Sequence, residues 1–117
     1  MKHLVAVYGT LKRGGSNSGL LRSGTFLGED SLTELTLYDL GPYPGAVARP
    51  SDGVVVEVYA VNERILAELD ILEDYFPAAP KDSLYLRKRT ATRHGSAWVY
   101  IYNRPVGMHR RITSGVW

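Results

Sequence analysis

Leu4-Val5-Ala6-Val7-Tyr8-Gly9-Thr10-Leu11 is the stretch on which the reading of this chain turns. Its first five residues are apolar and lean toward β-branched types, the pattern of a buried strand. Gly9 ends the strand at a residue whose backbone takes conformations others avoid. Residues 10–17, Thr-Leu-Lys-Arg-Gly-Gly-Ser-Asn, follow as a short loop rich in hydrogen-bond donors. Such an opening aims backbone N–H groups at a small polar ligand, or is an ordinary exit from a strand.

The rest of the chain supplies the frame for that strand. Its 117 residues suit one domain with a single core, spanning 1–117. The apolar share of 44% and charged share of 22% are those of a globular protein and argue against disorder. The net charge of +2 is too small to indicate nucleic acid, although residues 61–117 hold nine basic against six acidic side chains. With no cysteine there is neither a disulfide framework nor a thiol nucleophile, which fits a reducing compartment. The apolar start, Met1-Lys2-His3 and five residues more, is too short for a signal peptide, and no apolar run reaches membrane-spanning length. The expectation is a cytoplasmic protein without membrane or nucleic-acid partners.

Downstream, residues 18–23 suggest a short helix, and residues 25–39 one or two strands. In residues 40–47, Leu-Gly-Pro-Tyr-Pro-Gly-Ala-Val, prolines flank Tyr43 and glycines flank the prolines. This predicts a stiff turn with Tyr43 at its tip, either a plain connector or one wall of a pocket. Residues 54–61 alternate cleanly, with Val54, Val56, Val58 and Ala60 on one face and Val55, Glu57, Tyr59 and Val61 on the other, as in a central strand. Asn62 then caps a helix expected from Glu63 to about Asp74.

On that helix Ile65, Leu66, Leu69 and Leu72 form one apolar arc, and Glu73 falls inside it. Burial of a carboxylate is costly and raises its pKa toward neutrality, the range used in general acid–base chemistry. An ion pair with a downstream arginine, or fraying of the helix before Glu73, would accommodate the same pattern. The proline-interrupted residues 76–82 read as a loop able to act as a lid. Residues 85–93 and 96–102 read as a hairpin about His94-Gly95, with Arg87, Lys88 and Arg89 as a solvated basic run. Trp98, Tyr100 and Tyr102 share one face of its second strand. The tail is irregular and basic, with Ile112 and Trp117 as anchors on the core. No P-loop or G-x-G-x-x-G is present, and the three histidines lack metal-ligand spacing, so neither a metal nor a cofactor is expected. These elements predict an α+β domain: a small mixed, barrel-like sheet with one main helix and a short one.

Several segments, taken in order, resemble the γ-glutamylcyclotransferase-like family, which includes the AIG2-like and γ-glutamylamine cyclotransferase-like proteins. Tyr8-Gly9-Thr10-Leu11 is similar to its Y-G-[ST]-L signature, and Tyr43-Pro44-Gly45-Ala46-Val47 to its mid-chain proline turn. Leu69-Asp70-Ile71-Leu72-Glu73-Asp74-Tyr75 is similar to its L-D-x-x-E-G-Y helix end. Tyr85-Leu86-Arg87, Ala97-Trp98-Val99-Tyr100-Ile101-Tyr102 and Ser114-Gly115-Val116-Trp117 extend the likeness over nearly the whole chain. The chain departs from the pattern at Asp74, where glycine is usual, and at Val116, where aspartate is usual.

The resemblance implies a reaction in which the α-amine of a γ-glutamyl group attacks its own γ-carbonyl, releasing an amine and 5-oxoproline. It implies Glu73 as the catalytic base and acid, backbone of Gly9, Thr10 and Leu11 as substrate binders, and Tyr8, Tyr43 and Tyr102 as pocket walls. The leaving amine would sit toward residues 76–82. A non-catalytic module binding the same small molecules is the alternative. Neither the leaving amine nor the oligomeric state follows from the sequence.

Overall fold

The computed structural model describes residues 3–117. Met1 and Lys2, within the N-terminal segment read above for targeting, lie outside the described residues. The strands are β1 (His3–Val7), β2 (Thr25–Leu32), β3 (Thr36–Asp39), β4 (Pro44–Val47), β5 (Val54–Val61), β6 (Tyr85–Thr92), β7 (Gly95–Tyr102) and β8 (Arg110–Arg111). One α-helix, α1 (Glu63–Leu72), follows β5, and short 3-10 turns occupy Ser18–Leu21 and Pro80–Asp82.

The eight strands of the described residues join one mixed sheet in the order β2-β5-β1-β7-β4-β3-β8, with β6 paired to β7. The two most apolar strands lie in its middle. β5 takes β1 and β2 on its two sides, both antiparallel. β7 takes β6 along the whole of one edge, so β1 and β4 share its other edge. Both run parallel to β7, β1 meeting it at Trp98 and β4 at Ile101. The sheet therefore splits beside β7 where β1 ends, and the candidate site lies at that split.

The alternation along β5 and β7 sorts the core into two layers. Val54, Val56, Val58, Ala97 and Val99 face the inside of the curled sheet with Ala6, Leu32, Leu35 and Leu37. Tyr59, Val61 and Tyr100 face the other way and receive Ile65, Leu66 and Leu69 of α1. Asn62 starts that helix, its Oδ1 accepting from the Ile65 N–H at 2.8 Å. Ile112 packs on the inner layer, whereas Trp117 remains 38% exposed.

Two local expectations need correction. The proline turn is partly a strand: Pro44 opens β4, a position where a missing N–H costs no ladder bond. The basic tail contributes a strand too, Arg110–Arg111 pairing with β3. Among the described residues, no helix is long and apolar enough to cross a membrane.

Candidate active site

β1 leads directly into the site. Tyr8 is buried at the split, and its hydroxyl donates to the Tyr100 carbonyl at 2.7 Å while accepting from the Ala46 N–H at 3.1 Å. The phenol thus acts as a rung joining β7 to β4 where backbone pairing between β1 and β7 gives out. Burial raises the Tyr8 pKa far above its ordinary value, so the rung stays protonated. Tyr85 does similar work next to it, donating to the Pro44 carbonyl at 2.7 Å.

Gly9 is glycine for a different reason than the one the sequence suggests. Its φ is not positive. A Cβ there would lie 2.7 Å from the Pro44 side chain, so the Gly9–Pro44 approach requires glycine. Beyond it the loop folds on itself: Asn17 donates from its backbone N–H to the Thr10 carbonyl and from its side chain to Thr10 Oγ1, both at 2.9 Å. The buried Glu57 anchors the loop from β5, accepting from the Arg13 N–H at 2.8 Å and the Tyr59 hydroxyl at 2.9 Å. Among the described residues, no group accepts from the N–H of Gly9, Thr10 or Leu11.

Glu73 enters from the end of α1. The Asp74 N–H donates to the Ile71 carbonyl at 3.2 Å and the Tyr75 N–H to the Asp70 carbonyl at 2.9 Å. These are the two bonds of a Schellman ending, which places the residue after the cap in the left-handed region. That residue is Asp74, with φ of 49°. The usual glycine at this position is thereby explained, and the ending forms with aspartate in its place. Glu73, the cap itself, is partly buried, and its pKa is raised to about 7, first by loss of hydration and then by the charge of Asp74.

One turn earlier on the same helix, Asp70 has partners. Its Oδ1 accepts from the Tyr100 hydroxyl at 2.7 Å and lies 3.3 Å from Arg87 Nε. The Arg87 guanidinium lies over the rings of Trp98 at 4.4 Å and Tyr75 at 5.4 Å. Arg87 is therefore no part of a solvated basic face, although Lys88 and Arg89 are exposed. The ion pair with a downstream arginine that the sequence allowed for Glu73 forms instead at Asp70, where it is partly buried. No periodicity signals it, because Asp70 and Arg87 meet only when β6 packs across the helix end.

A cavity of about 340 Å³ opens between the end of β1, the start of β4 and the end of α1. Tyr8, Gly9, Thr10, Leu11, Tyr43 and Glu73 all line it. Tyr102 does not. It lies past the cavity against Gly45 and meets Tyr85 edge-on at 5.5 Å between ring centres. Tyr85 and Tyr100 line the cavity in its place, and Asp74 joins them at the rim. Tyr100 was on the aromatic face already visible in β7; its register beside the end of β1 selects it over Tyr102. None of residues 76–82 lines the cavity, so the expected lid is not over it. That loop is pinned by Ser83, whose Oγ accepts from the Phe76 N–H at 2.8 Å. Val116 does not line the cavity; its neighbour Gly115 accepts from the Val55 N–H at 2.8 Å at the start of β5, so the departure from aspartate leaves the cavity lining unchanged. Among the described residues, no group of three or more histidine, cysteine or acidic side chains is placed to hold a metal ion.

Comparison with known proteins agrees in sequence and in shape. Residues 5–117 match the family described as gamma-glutamyl cyclotransferase, AIG2-like. A Vibrio cholerae protein, named provisionally as a gamma-glutamylcyclotransferase, is 46% identical over 118 residues, covering 100% of this chain and 96% of its own. The gamma-L-glutamyl-butirosin B gamma-glutamyl cyclotransferase of Niallia circulans is 32% identical, covering 84% of this chain and 65% of its own. The solution structure of YtfP from Escherichia coli superposes with a TM-score of 0.76 at 38% identity, covering 97% of this chain and 95% of that one. A match running through residues 5–117, with full-length relatives at this level of identity, shows that the chain belongs to the gamma-glutamyl cyclotransferase, AIG2-like family.

Proposed function

We propose that the chain cyclises a γ-glutamyl amide to 5-oxoproline and a free amine, with Glu73 moving the proton. The α-amine nitrogen bonds to the γ-carbonyl carbon, and the bond from that carbon to the leaving nitrogen breaks. The proton lost by the α-amine passes to the Glu73 carboxylate and from there to the leaving nitrogen. No water is consumed. The nucleophile and the carbonyl belong to one molecule, so the site has only to hold them in the reactive geometry.

The observation that carries this reading is a carboxyl group with a pKa of about 7 in a cavity beside unpartnered backbone donors. An α-amine has a pKa of about 8, so proton exchange with such a carboxyl is nearly balanced in both directions. The N–H groups of Gly9, Thr10 and Leu11 suit the substrate's α-carboxylate or the oxyanion that develops on the γ-carbonyl. Tyr8 and Tyr43 serve as walls, and the Tyr8 hydroxyl, already engaged twice, positions the backbone rather than the substrate.

The test is release of 5-oxoproline from a panel of γ-glutamyl amines by the native protein and by Glu73→Gln. Product from the first and not the second is expected. Retained turnover in the variant would sink the role of Glu73. Thermal stabilisation by the same compounds without product would point to a binding module.

A further inference from the structure

The cavity has an inner end and a rim that differ in charge. Val7, Tyr8, Leu11, Tyr85 and Tyr100 form the inner end and are buried. Ser16, Pro42, Tyr43, Leu72 and Asp74 are lining residues that are also exposed, and so form the rim. Among the described residues, Asp74 is the only charged side chain on that rim. Apart from Glu73, no other charged residue among the described residues lines the cavity, and no described lysine, arginine or histidine does.

Asp74 is also locally unfavourable. It holds a left-handed backbone conformation at φ of 49°, where glycine is the low-energy choice. It puts a negative charge at the C-terminus of α1, the end that favours cations. It raises the pKa of Glu73. Among the described residues its carboxylate has no ion-pair or hydrogen-bond partner to offset any of this. A residue that breaks local rules without compensation inside the fold is one whose partner is expected outside it.

Granting the cyclotransferase reading above, the γ-glutamyl head is a zwitterion with no net charge, so the charge of the substrate is that of its amine portion. The compact head suits the inner end beside the free N–H groups, and the amine portion leaves through the rim. We propose that Asp74 selects the leaving amine by charge. The site takes γ-glutamyl amides whose amine portion carries a further ammonium group, as in a diamine or polyamine chain, over those ending in a carboxylate. Asp74 takes no part in bond making; it is a selectivity residue, with the Tyr43 ring, also on the rim, as a second surface that favours a cation.

Three γ-glutamyl amides of matched length, ending in an ammonium, a methyl or a carboxylate group, test this. At low salt the native protein is expected to prefer the ammonium over the methyl compound by about tenfold in kcat/KM, and to disfavour the carboxylate by a similar factor. In Asp74→Asn, which tolerates the same backbone conformation, the three rates are expected to converge, and raising salt should narrow the native spread. Equal rates in the native protein, or a spread unchanged in Asp74→Asn, would overturn the proposal. Affinities of the same amides for Glu73→Gln, read by calorimetry, separate this idea from the reaction itself. If no compound is turned over, the cyclotransferase reading fails. The order of those affinities, and its loss in the doubly substituted protein, still decides the charge preference.

Discussion

Asp70 and Glu73 are carboxylates three residues apart at one helix end, and they live in opposite surroundings. Asp70 lies between the Arg87 guanidinium and the Tyr100 hydroxyl. Glu73 faces a cavity whose described lining offers it no cation, only the like charge of Asp74. The first arrangement locks β6, β7 and α1 together; the second leaves a carboxyl free to exchange a proton near neutrality. The identity of the side chain decides neither role. Partners contributed by distant strands separate a structural carboxylate from a reactive one.

Turnover separates the two most widely. Glu73→Gln is expected to lower kcat/KM for a γ-glutamyl amide by roughly 10³-fold or more, and Asp70→Asn by less than about tenfold, because Asp70 acts only through Tyr100. Equal losses in both variants, measured as 5-oxoproline release, would erase the distinction.

Stability reverses the order. Asp70→Ala strands the largely buried Arg87 guanidinium and the Tyr100 hydroxyl, a loss of about 3 kcal/mol in urea denaturation. Arg87→Met combined with Asp70→Asn should cost less than the two single changes added together, since each then removes what the other left unpaired. An additive result would show that the pair is not coupled.

Glu73 gives the opposite sign. Its folded pKa of about 7 stands above the ordinary 4.5, so between those values the folded state holds a proton that the unfolded state has lost. Stability therefore falls as pH rises through this window, and ionised Glu73 destabilises the fold above it. Glu73→Gln should be more stable than the native protein at pH 8, by about 3 kcal/mol at most, and no more stable at pH 4. Thermal melts at the two pH values check this, and a constant difference between them would remove the raised pKa. The smallest effect belongs to Asp74→Gly. Relief of the left-handed backbone and of the charge at the helix end should stabilise the fold by about 1 kcal/mol, while the charge preference for the leaving amine is lost.

What was legible in the chain alone was whatever its local period and turn chemistry encode. β1, β5 and β7 carry apolar or alternating patterns strong enough to place them and assign their faces, and Asn62 marks the start of α1. The inward aim of Glu73 follows from the helical wheel over one turn. The family motifs placed Tyr8 to Leu11, Tyr43 and Glu73 as a group, and these residues do line one cavity. What required the tertiary structure depends on residues far apart in sequence. The sharing of one β7 edge by β1 and β4 creates the split, and Tyr8 bridges it through a hydroxyl whose partners lie 38 and 92 residues away. The same distance hides the Asp70–Arg87 pair, and register alone decides that Tyr100 and not Tyr102 meets the cavity. Periodicity reports which way a side chain points from its own strand or helix. It cannot report which strand lies across from it, because pairing is settled by the collective burial of both layers of the core.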